Sequence, residues 1–272
     1  SDVCSSDLFN SLVLAVLQAS GSSIRLDDSL QQIIRNIDEP LNFEVFISLS
    51  CHNCPDVVQS LNQFALLNPK ITTETIDGGL FPELIEKRSI QGVPSVHLNG
   101  ERFADGKVEV AKLVERLMAR NPESAYQVTV PQLPQQDVTI VGGGPAGVAA
   151  AIYSARKGMK VTMVADRIGG QVKDTQGIEN LISVVETTGP ELVNALQNHM
   201  NQYEITIREH LRVERIEQGD PKTVHLSSGE SFDSKTVIIA TGAKWRELGI
   251  PGERENIGNG VAYCPHCTAD LY

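Results

Sequence analysis

Residues 48–55 read SLSCHNCP, and this stretch decides how the first part of the chain folds. It follows a mostly apolar run, residues 43–47, that predicts a buried strand. After the cysteines, apolar side chains recur at helical spacing through residues 57–65. Pro55 fits the first turn of a helix, where a missing N–H leaves no bond unmade. The pattern therefore places Cys51 just before a helix N-terminus, which favours the thiolate expected of a redox dithiol.

The size and charge of the chain exclude several classes of protein. A length of 272 residues predicts about two domains. A net charge of −11 argues against nucleic acid or an anionic membrane as the partner. No apolar run approaches the roughly 20 residues of a membrane helix. The short apolar segment 12–17 is preceded by Asp2 and Asp7 rather than lysines, so we predict no signal peptide and a cytoplasmic protein.

The chain has five cysteines: Cys4 and two C-x-x-C pairs, Cys51/Cys54 and Cys264/Cys267. Two such pairs can form a four-cysteine zinc site, but zinc spacings place the pairs roughly 15–20 residues apart. Here the pairs lie far apart in the sequence, each in its own strand-and-turn context. We therefore favour two redox dithiols and predict no metal site, with zinc as the alternative. A purely structural disulfide is disfavoured in a reducing compartment.

The elements around CHNC follow in an order that resembles the thioredoxin fold. Strand, hairpin and helix patterns succeed one another after the dithiol: a strand at 71–76, a helix at 81–88, a strand after 92–96 and a helix at 110–118. Asn99-Gly100 predicts a type I′ hairpin. Pro94 stands where that fold carries a cis-proline against the dithiol, although an ordinary trans proline at a strand entry is the alternative.

Other titratable residues near the dithiol have two interpretations each. Glu44, on the strand before CHNC, is either a buried proton acceptor or a solvent-facing strand residue. His52 and His266, between the cysteines, shape the turns and tune the redox potential rather than act as catalysts. The remaining histidines show no ligand spacing, and we interpret them as structural or surface residues: His97, His199, His210 and His225.

Changes in composition predict the domain boundaries. Residues 1–8 are polar, serine-rich and without periodicity, so we interpret them as a non-native or disordered leader. Residues 9–121 form the thioredoxin-like domain. Residues 122–136 contain prolines and little apolar periodicity, which predicts a partly extended linker. Residues 137–272 form the second, incomplete domain.

The second domain opens on a glycine motif. A short strand, residues 138–141, runs into Gly142-Gly143-Gly144-Pro145-Ala146-Gly147, and a helix, a second strand and Asp166 follow. These features together predict a dinucleotide site, whereas the glycines alone would be compatible with an ordinary turn. In such sites the first glycine permits a tight turn, the second lets the pyrophosphate approach, and the third allows close helix packing. The helix N-terminus attracts the anion, and Asp166 can accept a hydrogen bond from a ribose hydroxyl.

Further motifs indicate which dinucleotide binds. Gly169-Gly170-Gln171 follows the acid, and Asn180 lies soon after. A predicted meander (211–216, 224–226 and 231–232) leads to a strand at 236–240 that enters Thr241-Gly242. This arrangement resembles the FAD domain of two-dinucleotide flavoproteins. The candidate FAD-binding residues are those of the glycine motif together with Asp166, Arg167, Gly170, Gln171, Asn180, Thr241 and Gly242.

The combination of CHNC, a linker, GGGPAG, GGQ, ATGAKWR and CPHC closely resembles the F-type flavoprotein family of alkyl hydroperoxide reductases, from about Phe9 to Cys267. The resemblance implies that NAD(P)H reduces FAD, FAD reduces Cys264–Cys267, and that pair reduces Cys51–Cys54. The last pair then reduces a peroxiredoxin, the C-type component of alkyl hydroperoxide reductase. It further implies that Cys267 is nearest the flavin, Cys264 is the interchange thiol, Cys51 attacks the partner, Cys54 resolves, and the parent protein is a homodimer.

The chain also departs from that family. Leu8 replaces an acidic residue, Thr268-Ala269 replaces Asp-Gly after CPHC, and neither an upstream thioredoxin-like half nor a second glycine motif is present. We therefore expect a fragment with poor flavin affinity and no NADH oxidation. Two alternatives remain: a thioredoxin reductase fused to thioredoxin, and a flavin-free module that exchanges disulfides or binds a partner.

Overall fold

The structure of the chain is a computed structural model, and it describes residues 3–51, 53–120, 133–175, 177–243, 246, 248–253 and 261. These residues form two compact units, the first holding residues 3–120 and the second residues 133–243. Each unit has its own sheet. Among the helices described, none is both long and apolar enough to cross a membrane.

The first unit is a four-stranded sheet with five helices among its described residues. Its elements are α1 (Val3–Ala19), α2 (Asp28–Arg35), β1 (Leu41–Ile47), α3 (Cys54–Leu67), β2 (Ile71–Asp77), α4 (Pro82–Lys87), β3 (Ser95–Leu98), β4 (Glu101–Asp105) and α5 (Val110–Arg120). The strand order is β2-β1-β3-β4. Strand β1 is parallel to β2 and antiparallel to β3, and β3 is antiparallel to β4. The predicted thioredoxin fold is confirmed.

The central strand and the helix after the dithiol form the core of this unit. Strand β1 buries Phe43, Val45 and Phe46 almost completely, and α3 buries an apolar face against the sheet. Pro55 lies in the first turn of α3, as predicted. At the other end of α3, the Asn68 side chain donates to the carbonyls of Ile34 and Ile37, each at 2.8 Å. The helix that follows CHNC is therefore packed along its length and anchored at its far end.

The hairpin between β3 and β4 has the predicted turn. Asn99 and Gly100 both have positive φ, 51° and 85°. Positive φ at both central residues is what a type I′ turn requires, and asparagine and glycine tolerate it best. The hairpin prediction is confirmed.

Helix α1 corrects the prediction of a disordered leader, because it begins at Val3 rather than at Phe9. Serine and aspartate cost only a few tenths of a kcal/mol each relative to good helix formers, so a polar first turn does not prevent helix formation. The helix also turns an unexpected face to α3. Ser11 is 1% exposed and accepts from Gln59 Nε2 at 2.9 Å, whereas Phe9 and Leu12 are 64% and 61% exposed.

The second unit is a six-stranded sheet. Its elements are β5 (Gln136–Val141), α6 (Pro145–Arg156), β6 (Val161–Ala165), a 3₁₀ helix (Gly170–Asp174), α7 (Gly189–Met200), β7 (Ile205–Glu209), β8 (Val213–Glu217), β9 (Lys222–Leu226) and β10 (Ser231–Ile239). The strand order is β7-β6-β5-β10-β9-β8. The first four of these neighbours pair in parallel and the β10-β9-β8 part is antiparallel. This is the predicted Rossmann-like domain with its meander.

Two boundaries in this unit differ from prediction. Strand β5 begins at Gln136, which is buried, so the predicted linker 122–136 ends one residue early. Residues 121–132 of that linker lie outside the described residues. The predicted third meander strand and the strand at 236–240 are one continuous element, β10, which pairs with β9 at its start and with β5 at its end. Periodicity could not join them because the two halves bury different faces.

Helix α7 begins with a reciprocal cap. The Thr188 hydroxyl accepts from the Glu191 backbone N–H at 3.3 Å, and the Glu191 carboxylate accepts from the Thr188 N–H at 2.9 Å. The Thr188 backbone N–H is the main cause that lowers the pKa of Glu191. A lowered folded-state pKa contributes stability above the unfolded pKa, and that contribution is lost as the pH falls through the lowered value.

Replacing Thr188 with alanine is expected to lower the free energy of unfolding by about 1 kcal/mol, the usual cost of losing an N-cap side chain. Denaturant unfolding followed by circular dichroism measures this change. The matched control is Asn194→Ala, at an exposed position inside the same helix, where we expect a change within about 0.5 kcal/mol. Equal stability of Thr188→Ala and the wild type at neutral pH would show that the cap does not hold the helix.

Candidate dithiol and dinucleotide sites

Cys51 and Cys54 lie at the carboxyl end of β1, next to the start of α3. Their sulfurs form a disulfide with Cα atoms 5.5 Å apart. Cys54 is the first residue of α3 and is fully buried, whereas Cys51 is half-buried. The Cys51 sulfur lies 3.8 Å from the carbonyl oxygen of Val93. Of the two sulfurs, Cys51 is therefore the one that a partner can reach.

Pro94 enters β3 directly beside this sulfur. The Val93–Pro94 peptide is cis, as the resemblance to the thioredoxin fold implied. The next residue, Ser95, lies opposite Phe46 in the register of β1 and β3, and its hydroxyl donates to Asp105 Oδ1 at 2.9 Å. Strand pairing thus fixes the backbone that faces Cys51.

Glu44 is neither the buried proton acceptor nor the solvent-facing residue that the sequence left open. Its carboxylate forms an ion pair with Arg88 at 2.6 Å, and the two side chains are 24% and 26% exposed. Arg88 caps α4 and also donates to the Gly100 carbonyl at 3.1 Å. Glu44 therefore ties α4 and the β3–β4 turn to the central strand. Sequence reasoning missed it because Arg88 is distant in the chain.

His97 is a buried residue that the sequence analysis placed with the structural and surface histidines. It is 4% exposed, and neither ring nitrogen has a hydrogen-bond partner among the described residues. Its ring packs edge-on against Phe46 with centroids 5.5 Å apart, and it lies opposite Glu44 in the strand register. The available signal was its position in a short apolar strand directly after Pro94.

The glycine motif folds as a tight loop between β5 and α6. Gly142 has a φ of +117°, and a Cβ there would lie 2.3 Å from the Ala240 carbonyl oxygen. A Cβ on Gly147 would lie 2.0 Å from the Gly142 carbonyl oxygen. By contrast, no described heavy atom lies within 4 Å of the Cβ position of Gly144, the residue before α6. Two glycines thus permit close packing, and the third leaves open space at a helix N-terminus, where an anion binds favourably.

Three sequence motifs converge on this loop. A Cβ on Gly170 would lie 3.3 Å from the Gly144 Cα, so GGQ lies against GGGPAG. The Gln171 side-chain amide donates to the Ala243 carbonyl, just after Thr241-Gly242. Asn180 lies in an exposed loop before α7, and its side chain makes no hydrogen bond with the described residues. The structure therefore brings together every predicted cofactor motif except Asn180.

The two charged residues after β6 already have protein partners. The Asp166 carboxylate accepts from Arg212 Nε at 2.7 Å, and Arg167 donates to Asp174 at 3.0 Å. Both partners come from later elements, which explains why the local motif did not reveal them. Asp166 follows β6 as the dinucleotide motif predicts.

The second dithiol, Cys264 and Cys267, lies outside the described residues, as do His52 and His266. Within the described ranges, no cluster of three histidine, cysteine, aspartate or glutamate side chains could hold a metal ion. The zinc alternative concerned the four cysteines of both pairs, so this finding does not address it.

Comparison with known proteins agrees with this geometry. Residues 41–119 match the "Thioredoxin domain" family. Residues 136–271, half of the chain, match the "Pyridine nucleotide-disulphide oxidoreductase" family. The chain belongs to the pyridine nucleotide-disulphide oxidoreductase family. Its thioredoxin domain followed by this family's domain makes it a partial chain of the F-type alkyl hydroperoxide reductase flavoproteins, as predicted.

Relatives within the pyridine nucleotide-disulphide oxidoreductase family cover almost all of the chain. An F-type alkyl hydroperoxide reductase protein from Staphylococcus aureus strain Mu50 is 49% identical over 97% of the chain. A Bacillus subtilis strain 168 protein named NADH dehydrogenase is 45% identical over 97% of it. The chain spans about half the length of these curated relatives, 51% in each case. A thioredoxin reductase structure from Streptococcus pyogenes covers 51% of the chain at 38% identity, with 45% of its own length covered and a TM-score of 0.44.

Proposed function

We propose that the chain is part of a flavin-dependent disulfide oxidoreductase that reduces a peroxiredoxin. In this proposal NAD(P)H is the electron donor, and electrons reach Cys51–Cys54 through FAD and Cys264–Cys267. The observation that carries it is the pair of a half-buried Cys51 and a buried Cys54 at a helix N-terminus. That placement suits disulfide exchange with a protein partner better than a static structural bond.

The chemistry at this pair needs no group beyond the two thiols and the partner's disulfide. The Cys51 thiolate attacks one partner sulfur, and the other partner sulfur leaves as a thiolate and takes a proton. The Cys54 thiolate then attacks the Cys51 sulfur, which restores the Cys51–Cys54 bond and releases the second partner thiolate. Two electrons pass to the partner. The N-terminus of α3 stabilises the negative charge on the attacking sulfur by about 0.3–1 kcal/mol.

The second unit supplies a surface that fits FAD. The open space above Gly144 and the N-terminus of α6 suit a pyrophosphate, and Asp166 suits a ribose hydroxyl. Gly170, Gln171 and the Thr241-Gly242 segment border the same loop. When bound, FAD would supply two-electron transfer between a nicotinamide and a cysteine pair. We assign the protein to the cytoplasm and its parent to a homodimer on the same proposal.

Disulfide exchange with a peroxiredoxin tests this function. The full chain carrying Cys264→Ser and Cys267→Ser is reduced with dithiothreitol, freed of the reagent and mixed with the oxidised partner. We expect one partner disulfide to be reduced for each Cys51–Cys54 pair, measured as free thiols on the partner. Cys4→Ser, added to both cysteine replacements, is the matched control, and its yield should be unchanged.

Parallel reactions separate the alternatives. Faster reduction of a thioredoxin disulfide than of the peroxiredoxin would favour a thioredoxin reductase fused to thioredoxin. Exchange at the full rate by a chain that has no measurable affinity for FAD would favour a flavin-free dithiol module. Failure to reduce the peroxiredoxin would contradict the proposed partner.

A further inference from the structure

The strand end that carries Asp166 is held by the segment from Glu209 to Arg212, here called the 209–212 clamp. The His210 backbone N–H donates to the Asp166 carbonyl at 3.2 Å. The Arg212 Nε donates to Asp166 Oδ1 at 2.7 Å. The Ile168 N–H donates to Glu209 Oε1 at 2.9 Å. Three separate bonds thus fix the three residues after β6.

The clamped residues in turn support the glycine loop. A Cβ on Gly143 would lie 2.7 Å from the Arg167 carbonyl oxygen, so the two backbones are in close contact. The Gly169 N–H donates to the Gly143 carbonyl at 2.8 Å. Because backbone packed this closely has no slack, a shift at Asp166 is transmitted to the loop that fits the pyrophosphate.

Within the clamp, Arg212 is the contact that reaches the Asp166 carboxylate itself. Its Nε binds Oδ1, and Oδ2 accepts no hydrogen bond from the described residues. One oxygen is therefore held and the other is available to a ligand hydroxyl. The two side chains are 44% and 37% exposed, so the ion pair adds little folding stability. Its main physical effect is to restrict the orientation of the carboxylate.

We propose that Arg212 is a positioning residue for the adenosine ribose of FAD and acts through Asp166. This proposal rests on the dinucleotide site of the proposed function. A carboxylate held in one orientation loses less conformational entropy when it accepts a ribose hydroxyl, and preorganisation of this kind increases affinity. Without Arg212 the Asp166 side chain rotates freely, and its hydrogen bond to the ribose weakens.

The experiment is a double-mutant cycle on FAD binding by the full chain. The dissociation constant of FAD is measured by quenching of flavin fluorescence for the wild type, Arg212→Met, Asp166→Ala and the double variant. We expect Arg212→Met to raise the dissociation constant about tenfold, as for loss of a hydrogen bond to a charged group. In the Asp166→Ala background the same change should have almost no further effect.

Two further variants separate positioning from folding. Arg215→Met removes a neighbouring arginine that pairs with Glu217, and its FAD affinity should equal that of the wild type. Arg212→Lys keeps the charge and should restore part of the affinity. Wild-type affinity in Arg212→Met, or an equal loss with and without Asp166, would overturn the proposal. Failure of the wild-type chain to bind FAD would overturn it together with the flavin part of the proposed function, but not the exchange at Cys51.

Discussion

Replacing Cys51 with serine is expected to lower the rate of disulfide exchange with an oxidised partner by more than about 10³-fold. The hydroxyl of serine cannot form the thiolate that attacks sulfur. Cys54 cannot take over, because its side chain is fully buried whereas Cys51 is half-buried. Stopped-flow detection of thiols released from the peroxiredoxin, with both Cys264 and Cys267 replaced by serine, measures this rate.

The matched variant Cys54→Ser gives a different result. Cys51 can still attack, but no second thiol is placed to resolve the mixed disulfide. We expect a covalent adduct of the chain and its partner that survives on a non-reducing gel and disappears with dithiothreitol. An adduct formed by Cys51→Ser instead, or exchange retained at a tenth of the normal rate, would reverse the assignment of the two cysteines.

Replacing Gly147 with alanine is expected to destabilise the second unit by about 1–3 kcal/mol and to abolish measurable FAD binding. The new Cβ would meet the Gly142 carbonyl oxygen at 2.0 Å, and a backbone atom cannot rotate away as a side chain does. The gain in helix propensity from glycine to alanine, up to about 1 kcal/mol, is smaller than this cost. Denaturant unfolding and FAD titration measure the two effects.

Gly144→Ala is the control that separates stability from binding. Its Cβ would enter space in which no described heavy atom lies within 4 Å. The added methyl group lies where a pyrophosphate would approach the N-terminus of α6. We therefore expect an unfolding free energy within about 1 kcal/mol of the wild type, together with weakened FAD binding. Wild-type stability in Gly147→Ala would contradict the close packing of α6 on the loop.

The local motifs were predictable from the sequence because their chemistry is local. CHNC before an apolar helical pattern predicted the start of α3, and Asn99-Gly100 predicted its turn. The glycine motif predicted the loop between β5 and α6. In each case a few adjacent residues determine the backbone conformation, so one stretch of sequence carries the whole signal.

Contacts between distant residues were not predictable in the same way. The Glu44–Arg88 ion pair and the contact between Arg212 and Asp166 join charges far apart in the chain. Charged residues are common on any surface, and periodicity does not pair them. Helix α1 failed for another reason, since its apolar pattern predicted a helix but the small, polar Ser11 faces α3. Tertiary packing, rather than amphipathicity, selected the buried face.

The double pairing of β10 has a consequence for the order of folding. Its first residues pair with β9 across a short turn, as Phe232 does with Val224, whereas its last residues pair with the distant β5, as Ile238 does with Ile140. Local hairpins form in about 1–10 μs, while distant pairings must first overcome the entropy of loop closure. We expect the hairpin to form early and to serve as a template on which β5 docks. Thr241 and Gly242 reach the glycine loop in that last step, so a bound dinucleotide would stabilise the product of the slowest pairing.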